Sequence, residues 1–150
     1  MREPISPGVI AKLLAETPQT KPPEARHFQF VVILADDTNP REVPPIISTV
    51  VDTLVDHRAT VLGIVSSLVV AVLGVPFPDG NSPEKRRELI QTLLHEHQIR
   101  IRMAHGECDA PVGVFGGRKR MTYDALIPGF SDVLKKLLEA KFGSAIEMSQ

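Results

Sequence analysis

The sequence predicts an α+β domain with a ferredoxin-like sandwich, in which an antiparallel sheet carries helices on one face. Segments with strand and helix patterns follow one another as strand, helix, strand, strand, helix, strand, which is the order of a βαββαβ core. The chain has 150 residues, of which 43% are hydrophobic, and this is enough to bury one core without disulfides. We therefore expect one globular domain, at residues 27–150, after a short N-terminal segment.

Residues 1–26 are predicted to form a short helix and a linker. Ser6 and Pro7 are typical of a helix cap and first turn, and apolar residues follow at helical spacing. The segment 18–26 contains three prolines and no periodicity, as in an extended linker. We expect the globular domain to begin at His27.

The first half of the core predicts a buried strand, a helix and a hairpin. Residues 28–35 are almost continuously apolar, as in a strand buried on both faces. The helix begins at residues 39–42, and its apolar residues recur at helical spacing as far as His57. Residues 60–65 and 68–73 are rich in β-branched residues and flank a pair of serines, which predicts two strands joined by a tight turn.

The second half predicts a helix, further strands and a last helix. Residue 81 or 82 caps a helix that has a proline at its first position and ends near residue 97. Residues 98–105 alternate between apolar and polar, as a half-buried strand does, and residues 112–115 predict another short strand. The last helix is expected from about residue 131 to about residue 143.

Composition argues against several classes of function. With 17 basic and 18 acidic residues, the chain lacks the excess positive charge that nucleic-acid binding needs. The single cysteine, Cys108, cannot form an intramolecular disulfide, which favours a reducing, cytoplasmic compartment. The longest apolar stretch, residues 61–75, is interrupted by glycines and serines, so it predicts core strands and no membrane span.

Six short segments, each weak alone, together have a specific order and spacing. They are VVILADD at 31–37, DHRATV at 56–61, VVAVLGVPF at 69–77, IRIRMAHGE at 99–107, VGVFGGRKRMTYD at 112–124 and LLE at 137–139. With these segments the chain resembles the catalytic domain of class III adenylate and guanylate cyclases. The resemblance covers residues 28 to about 148. It implies the α+β fold of that family, whose active sites are built between two subunits.

The metal-binding and base-recognising residues of that family are mostly absent. Its members hold two metal ions with two aspartates, since the cations must neutralise and orient a triphosphate. The resemblance places the first aspartate at Asp36 and the second at Ser67, whose neutral hydroxyl is a poor ligand for a divalent ion. The base-recognising lysine and aspartate would fall at Gly63 and Pro128, which have no polar side chain. We expect no metal site and no cofactor, with Asp36 the only metal ligand retained.

The transition-state residues are also changed. The resemblance aligns the asparagine and arginine of the last helix with Ser131 and Lys135, and lysine cannot form the bidentate clamp of arginine on a phosphate. Residues 37–40 lead directly into a helix, without the segment that wraps the triphosphate in active members. Catalytic groups act as a unit, so the loss of several predicts a chain that is not an enzyme.

Two acidic clusters each allow two interpretations. Asp36 and Asp37 are suited to a vestigial cation site or to a turn and helix cap, and we favour the turn. His105, Glu107 and Asp109 share a face of one strand and are competent metal ligands. An exposed strand end shows the same spacing of polar residues, and we favour this interpretation over a metal site.

Basic and hydroxyl groups also have ordinary interpretations. Arg118, Lys119 and Arg120 would suit a phosphate, although a solvated hairpin turn is commoner. The charge run at residues 85–87 is accounted for by a solvated helix face. The serine pair at residues 66–67 lacks an acid to orient a catalytic base, so nucleophilic catalysis is not supported.

These observations lead to two functional hypotheses. The first is a catalytically inactive cyclase-like domain that acts as a regulatory or protein-interaction module, as a homodimer or with another protein. The alternative is a domain that senses a nucleotide or other small ligand, bound weakly and without turnover. The residues retained for ligand binding would be Asp36, Asp37, Ser67, Ser131, Lys135, Arg118 and Arg120. An active cyclase would need replacement metal ligands that the sequence does not offer.

Overall fold

The computed structural model describes the backbone of residues 24–117 and 120–148, and the side chains of the same residues except 115–122. The predicted N-terminal helix and most of the linker lie outside the described residues. The elements in chain order are β1 (Glu24–Ala35), α1 (Val43–Asp56), β2 (Thr60–Val65), β3 (Leu68–Leu73), α2 (Pro83–His97), β4 (Ile101–Gly117), β5 (Arg120–Ala125), α3 (Phe130–Glu139) and β6 (Ala145–Met148).

One sheet organises the fold, with the strand order β2-β3-β1-β4-β5 and antiparallel pairing throughout this path. β6 pairs with β4 in parallel, beside the segment that β5 leaves uncovered. The α+β sandwich with a βαββαβ core is confirmed. No helix within the described residues is long and apolar enough to cross a membrane.

Helices cover both faces of the sheet. α1 and α2 pack on one face, where Leu54 and Leu89 join Ile33 of β1 in a buried apolar cluster. α3 packs on the opposite face, where Val133 and Leu137 join a second cluster. The two helices of the βαββαβ core therefore share one face as predicted, whereas the third helix lies on the other. We call these the α1/α2 face and the α3 face.

Local signals account for the first helices and the hairpin. Asn39 Oδ1 accepts a hydrogen bond from the N–H of Arg41, at the start of a 3-10 turn over Pro40–Glu42 that precedes α1. Ser82, one of the two predicted caps of α2, accepts from the N–H of Lys85 at 3.1 Å. β2 and β3 have the predicted bounds and are joined by a turn at residues 66–67.

Long-range pairing overrides local signals in β1 and β4. Residues 24–26, predicted as linker, belong to β1 because they pair with residues 110–112 of β4. The two strands predicted at 98–105 and 112–115 are one strand, β4, although its middle contains a glycine and a proline. Pairing with β1 along residues 101–112 outweighs these local strand breakers. Residues 98–100, predicted as strand, form a 3-10 turn.

The end of the chain also differs from the prediction. α3 ends at Glu139, before the predicted end near residue 143, because Ala140 has an extended backbone with ψ of 156°. The following residues turn back to the sheet, where the N–H of Gly143 donates to the carbonyl of Ile101 at 2.7 Å. β6, which the sequence did not predict, then pairs with β4.

Candidate functional site

Three of the predicted site residues, Asp36, Asp37 and Ser67, come together where β1 ends, and we call this place the strand-end site. Antiparallel pairing of Leu34 with Leu68 places the end of β1 beside the β2–β3 turn, where the N–H of Ala35 donates to the carbonyl of Ser67 at 2.9 Å. The Ser67 hydroxyl donates to Asp37 Oδ2 at 3.4 Å, and Ser67 is only 5% exposed. The position that the resemblance gives to the second metal ligand therefore holds a buried, neutral hydroxyl.

The Asp36 carboxylate closes a turn. Its Oδ1 accepts hydrogen bonds from the hydroxyl of Thr38 at 2.7 Å and from the N–H of Thr38 at 3.0 Å. These two bonds stabilise the charged carboxylate and lower the pKa of Asp36. This geometry is that of an Asx turn, the interpretation that the sequence favoured.

Among the residues that the structure describes, no hydrogen bond or ion pair joins the other candidate residues to the strand-end site. Ser131 and Lys135 are both exposed on α3. Arg118 lies outside the described residues, and the side chain of Arg120, the first residue of β5, is also outside them. Within the described part of the chain, no group of three or more His, Cys, Asp or Glu residues is arranged to hold a metal ion.

A polar network, which we call the Arg86 network, lies on the α1/α2 face at the other end of β1. Arg86 is 2% exposed, so the prediction of a solvated charge run at residues 85–87 is wrong for this residue. The reason is its position on α2, where it shares the buried face with Leu89, Ile90 and Leu93. The sequence shows this helical spacing. However, Arg86 stands between Lys85 and Arg87, and a run of three charged residues ordinarily predicts a solvated surface.

Arg86 has three hydrogen-bond partners. Its Nε donates to His105 Nδ1 at 3.0 Å, its Nη1 donates to the side-chain oxygen of Gln29, and its Nη2 donates to Glu147 Oε1 at 2.7 Å. Burial, and after it the charge of Arg86, lower the pKa of His105 from 6.5 to about 4. His105 is therefore neutral near pH 7 and accepts a hydrogen bond from Arg86 through Nδ1.

The outer part of the network is formed by groups nearer to solvent. His27 contacts Asp109 Oδ1 through Nδ1 at 3.0 Å and Glu107 Oε2 through Nε2 at 3.2 Å. Gln29 also donates to Glu107 Oε2 at 3.2 Å, and this bond is the largest cause of the lowered pKa of Glu107. His105, Glu107 and Asp109 share a face of β4 as predicted, but their side chains bind neighbouring residues and link β1, β4, α2 and β6.

Arg102, which sequence reasoning did not single out, ties β4 to the end of α3. Its Nη1 donates to the carbonyls of Leu138 and Ala140 at 3.0 and 2.9 Å. Its guanidinium also lies 4.4 Å from the centre of the Phe142 ring. A cation at carbonyls left unpaired at a helix C-terminus is favourable. Only its position in the fold, and no local sequence signal, gives Arg102 this role.

A cleft of about 280 Å³, which we call the Gly63 cleft, opens on the α3 face between the β2–β3 hairpin and the end of β5 with the segment that follows it. Its lining residues are Leu62, Gly63, Val70, Asp124, Ala125, Leu126, Ile127 and Phe130. Gly63, the position of the base-recognising lysine in the resemblance, lines it, and Pro128 follows the lining residue Ile127 directly in the chain. The walls are therefore mostly apolar where that family would recognise a base.

No family model and no curated protein matches the sequence. Solved structures do match. The catalytic core of a rhodopsin-guanylyl cyclase with converted specificity, in complex with ATPαS, is 10% identical, with a TM-score of 0.67 over 85% of this chain and 79% of that one. The chain has the fold of the class III nucleotide cyclase catalytic domain.

Two further structures support the cyclase fold. The adenylyl cyclase CyaB from P. aeruginosa is 14% identical, with a TM-score of 0.58 over 83% of this chain and 78% of that one. A dimeric guanylyl cyclase domain of a rhodopsin fusion protein from the aquatic fungus Blastocladiella emersonii is 8% identical, with a TM-score of 0.63 over 81% of this chain and 79% of that one. At these identities the likeness establishes the fold and leaves activity to be argued from the site.

Proposed function

We propose that this cyclase-fold domain does not form cyclic nucleotides and acts as a regulatory interaction module by pairing with a second copy of itself. The observation that carries the proposal is the buried hydroxyl of Ser67 at the strand-end site, where the resemblance requires a second carboxylate. The apolar surface on the α3 face supports the second half of the proposal.

The strand-end site is poorly suited to two divalent cations. Such cations are held by several hard oxygen ligands, with carboxylates supplying most of the negative charge. Asp36 uses Oδ1 to close the turn with Thr38, and the neutral hydroxyl of Ser67 donates to Asp37. The Gly63 cleft likewise presents mostly apolar walls to a nucleobase. The alternative of a nucleotide sensor without turnover therefore receives no support from the lining of this cleft.

The purified chain is expected to produce no cyclic AMP or cyclic GMP from manganese-ATP or manganese-GTP above a blank without protein. An active cyclase assayed in parallel by chromatography gives the sensitivity of the measurement. Product formed by the wild type and lost in Asp36→Ala would contradict the proposal, because it would assign a working metal site to the strand end.

The pairing surface is a strip of apolar side chains on the α3 face, which we call the hairpin strip. It comprises Leu34, Leu62, Val65, Leu68 and Val70, which are half-buried or exposed. Val65, at the end of β2, is 70% exposed and pairs with Leu68 across the hairpin, while Leu68 pairs with Leu34 across the next strands. The other four residues of the strip are half-buried against the cluster of the α3 face. Apolar surface that a sheet face leaves partly open favours an interaction site.

A second copy is the occupant that the observations favour. The net charge of -1 means that two copies repel each other little. One of the structurally similar cyclase domains forms a non-canonical dimer. A two-fold axis places the same patch of both copies in contact, so an apolar strip can serve as its own partner.

Val65→Glu is expected to weaken self-association about tenfold or more, because it would place an unpaired charge in the interface. Sedimentation velocity over a range of protein concentrations measures the change in the dissociation constant. Ile64→Glu is the matched control, since Ile64 is the adjacent residue, is 50% exposed, and pairs with Val69, whose side chain lies in the cluster of the α1/α2 face. A wild type that stays monomeric, or equal effects of both variants, would contradict pairing through the hairpin strip.

A further inference from the structure

The walls of the Gly63 cleft are apolar side chains that the described residues leave partly uncovered. Leu62, Val70 and Phe130 are half-buried, and Leu126 is 47% exposed. A Cβ added to Gly63 meets no atom within 4 Å, so the space beside this glycine is open. An apolar cavity of about 150 Å³ holds a benzene ring, so a cleft of about 280 Å³ has room for a large apolar side chain.

The chain enters the described structure close to this cleft. Glu24, the first residue of β1, pairs with Val112 of β4, and Val112 pairs with Ala125 of β5, which lines the cleft. Two strand spacings, about 10 Å, therefore separate Glu24 from the wall of the cleft. The linker of residues 15–23 can span at most about 30 Å when extended. The segment that ends at residue 14 is thus within reach of the cleft of its own chain.

That segment carries apolar residues at helical spacing. Residues 6–14 are predicted as a short helix, and Val9, Ile10, Leu13 and Leu14 fall on one face of it. A helix shorter than about 12–15 residues is marginal alone in water, so this one needs an apolar surface to pack against. Amphipathic helices bind apolar grooves through anchors spaced i, i+3 and i+4, and Ile10, Leu13 and Leu14 have this spacing.

We propose that the N-terminal segment, residues 6–14, docks in the Gly63 cleft of its own chain and thereby limits self-association through the hairpin strip. Leu62 and Val70 belong to both surfaces, so a docked segment and a second copy cannot cover them together. The tether favours the chain's own segment, because a short flexible linker gives an effective concentration on the order of millimolar. Docking rests on the cleft and the tether alone, whereas the competition rests on the proposed pairing.

Docking weakens pairing through the fraction of chains whose cleft is open. If about two thirds of the chains are docked, about one third can pair, and both copies of a pair must be open. The apparent dissociation constant then rises by the inverse square of the open fraction, about ninefold. A substitution that abolishes docking is therefore expected to strengthen self-association by about this factor.

A single tryptophan in the full chain reports docking, because the sequence has none of its own. Leu13→Trp places the reporter on the apolar face of the predicted helix, and the matched control Lys12→Trp places it on the opposite face. In protein too dilute to self-associate, Leu13→Trp is expected to emit at a shorter wavelength than Lys12→Trp and to be quenched less by acrylamide. Equal emission and quenching at the two positions would overturn docking.

A second substitution tests where the reporter docks. Leu126→Glu puts a charge on an exposed wall of the cleft, and in the Leu13→Trp background it should shift the emission to that of the solvated control. Gly63→Leu, which fills the cleft, should do the same, and circular dichroism verifies that each variant is folded. Emission unchanged by either substitution in folded protein would place the segment elsewhere and overturn the proposal.

Sedimentation velocity of the full chain tests the competition. Leu13→Gln and Ile10→Gln remove apolar anchors without changing the hairpin strip, so each is expected to strengthen self-association about tenfold. Lys12→Gln is the matched control and should leave the dissociation constant unchanged. An unchanged constant in all three variants, with the tryptophan reporter docked, would overturn the competition. A chain that stays monomeric as wild type and in every variant would overturn pairing and competition together, while the reporter still decides docking.

Discussion

Replacement of Arg86 by alanine is expected to lower the free energy of unfolding by about 2–5 kcal/mol. The guanidinium donates to His105, Gln29 and Glu147, and the first two of these partners are buried. Removing the donor leaves buried acceptors without partners and also leaves a cavity, and both effects are destabilising. Urea unfolding followed by circular dichroism measures the change.

Arg87→Ala is the matched control for this prediction. Arg87 is the next residue of the same helix, is exposed, and contacts the same carboxylate of Glu147 at 3.4 Å. Its loss is expected to change the free energy of unfolding by no more than about 0.5 kcal/mol. If the two variants were equally stable, Arg86 would be solvated and the network would not be a buried one.

Acidification from pH 6.5 to pH 4 is expected to lower the free energy of unfolding by up to about 3 kcal/mol through His105 alone. Burial and Arg86 lower its pKa from 6.5 to about 4 in the folded state. Between these values the unfolded chain binds a proton at this histidine and the folded chain does not, so stability rises with pH. The stability that depends on neutral His105 is fully present above the unfolded pKa of 6.5 and is lost progressively as the pH falls towards the folded pKa of about 4.

His105→Gln tests this assignment, because the glutamine oxygen can still accept from Arg86 Nε but does not titrate. Urea unfolding at pH 5 and pH 7 should show a smaller loss on acidification in this variant than in the wild type. The groups facing His105 are Arg86, Arg87 and Glu147, which the variant retains. Burial also lowers the pKa of His97, so part of the acid sensitivity should remain. Identical losses in both proteins would show that His105 does not carry the effect.

The elements that were predicted correctly have strong local signals. The serine pair between β2 and β3 marks the hairpin, and Ser82 with Pro83 marks the start of α2. β6 has only four residues and is defined by its pairing with β4, so no local pattern in the sequence predicts it. The amphipathic pattern of α3 predicts a buried stripe but does not say which sheet face the stripe covers.

The candidate site was predictable where it depended on the order of segments along the chain. The proximity of Asp36, Asp37 and Ser67 follows from the resemblance and from the antiparallel pairing of β1 with β3. The Arg86 network was not predicted, since its members come from segments far apart in sequence. A charged residue on a helix is ordinarily solvated, and only the neighbouring structure reveals partners that compensate its burial.

The pairing of β1 with β4 has a consequence for how the chain folds during synthesis. β1 is a central strand, and its partner β4 follows only after α1, the hairpin and α2. The ribosome adds about 5–20 residues per second, so one edge of β1 stays unpaired for on the order of ten seconds until β4 has been synthesised. An apolar strand with an unpaired edge can add strands from other chains in that interval. The nascent chain is therefore most prone to aggregation after β3 has formed and before β4 has emerged.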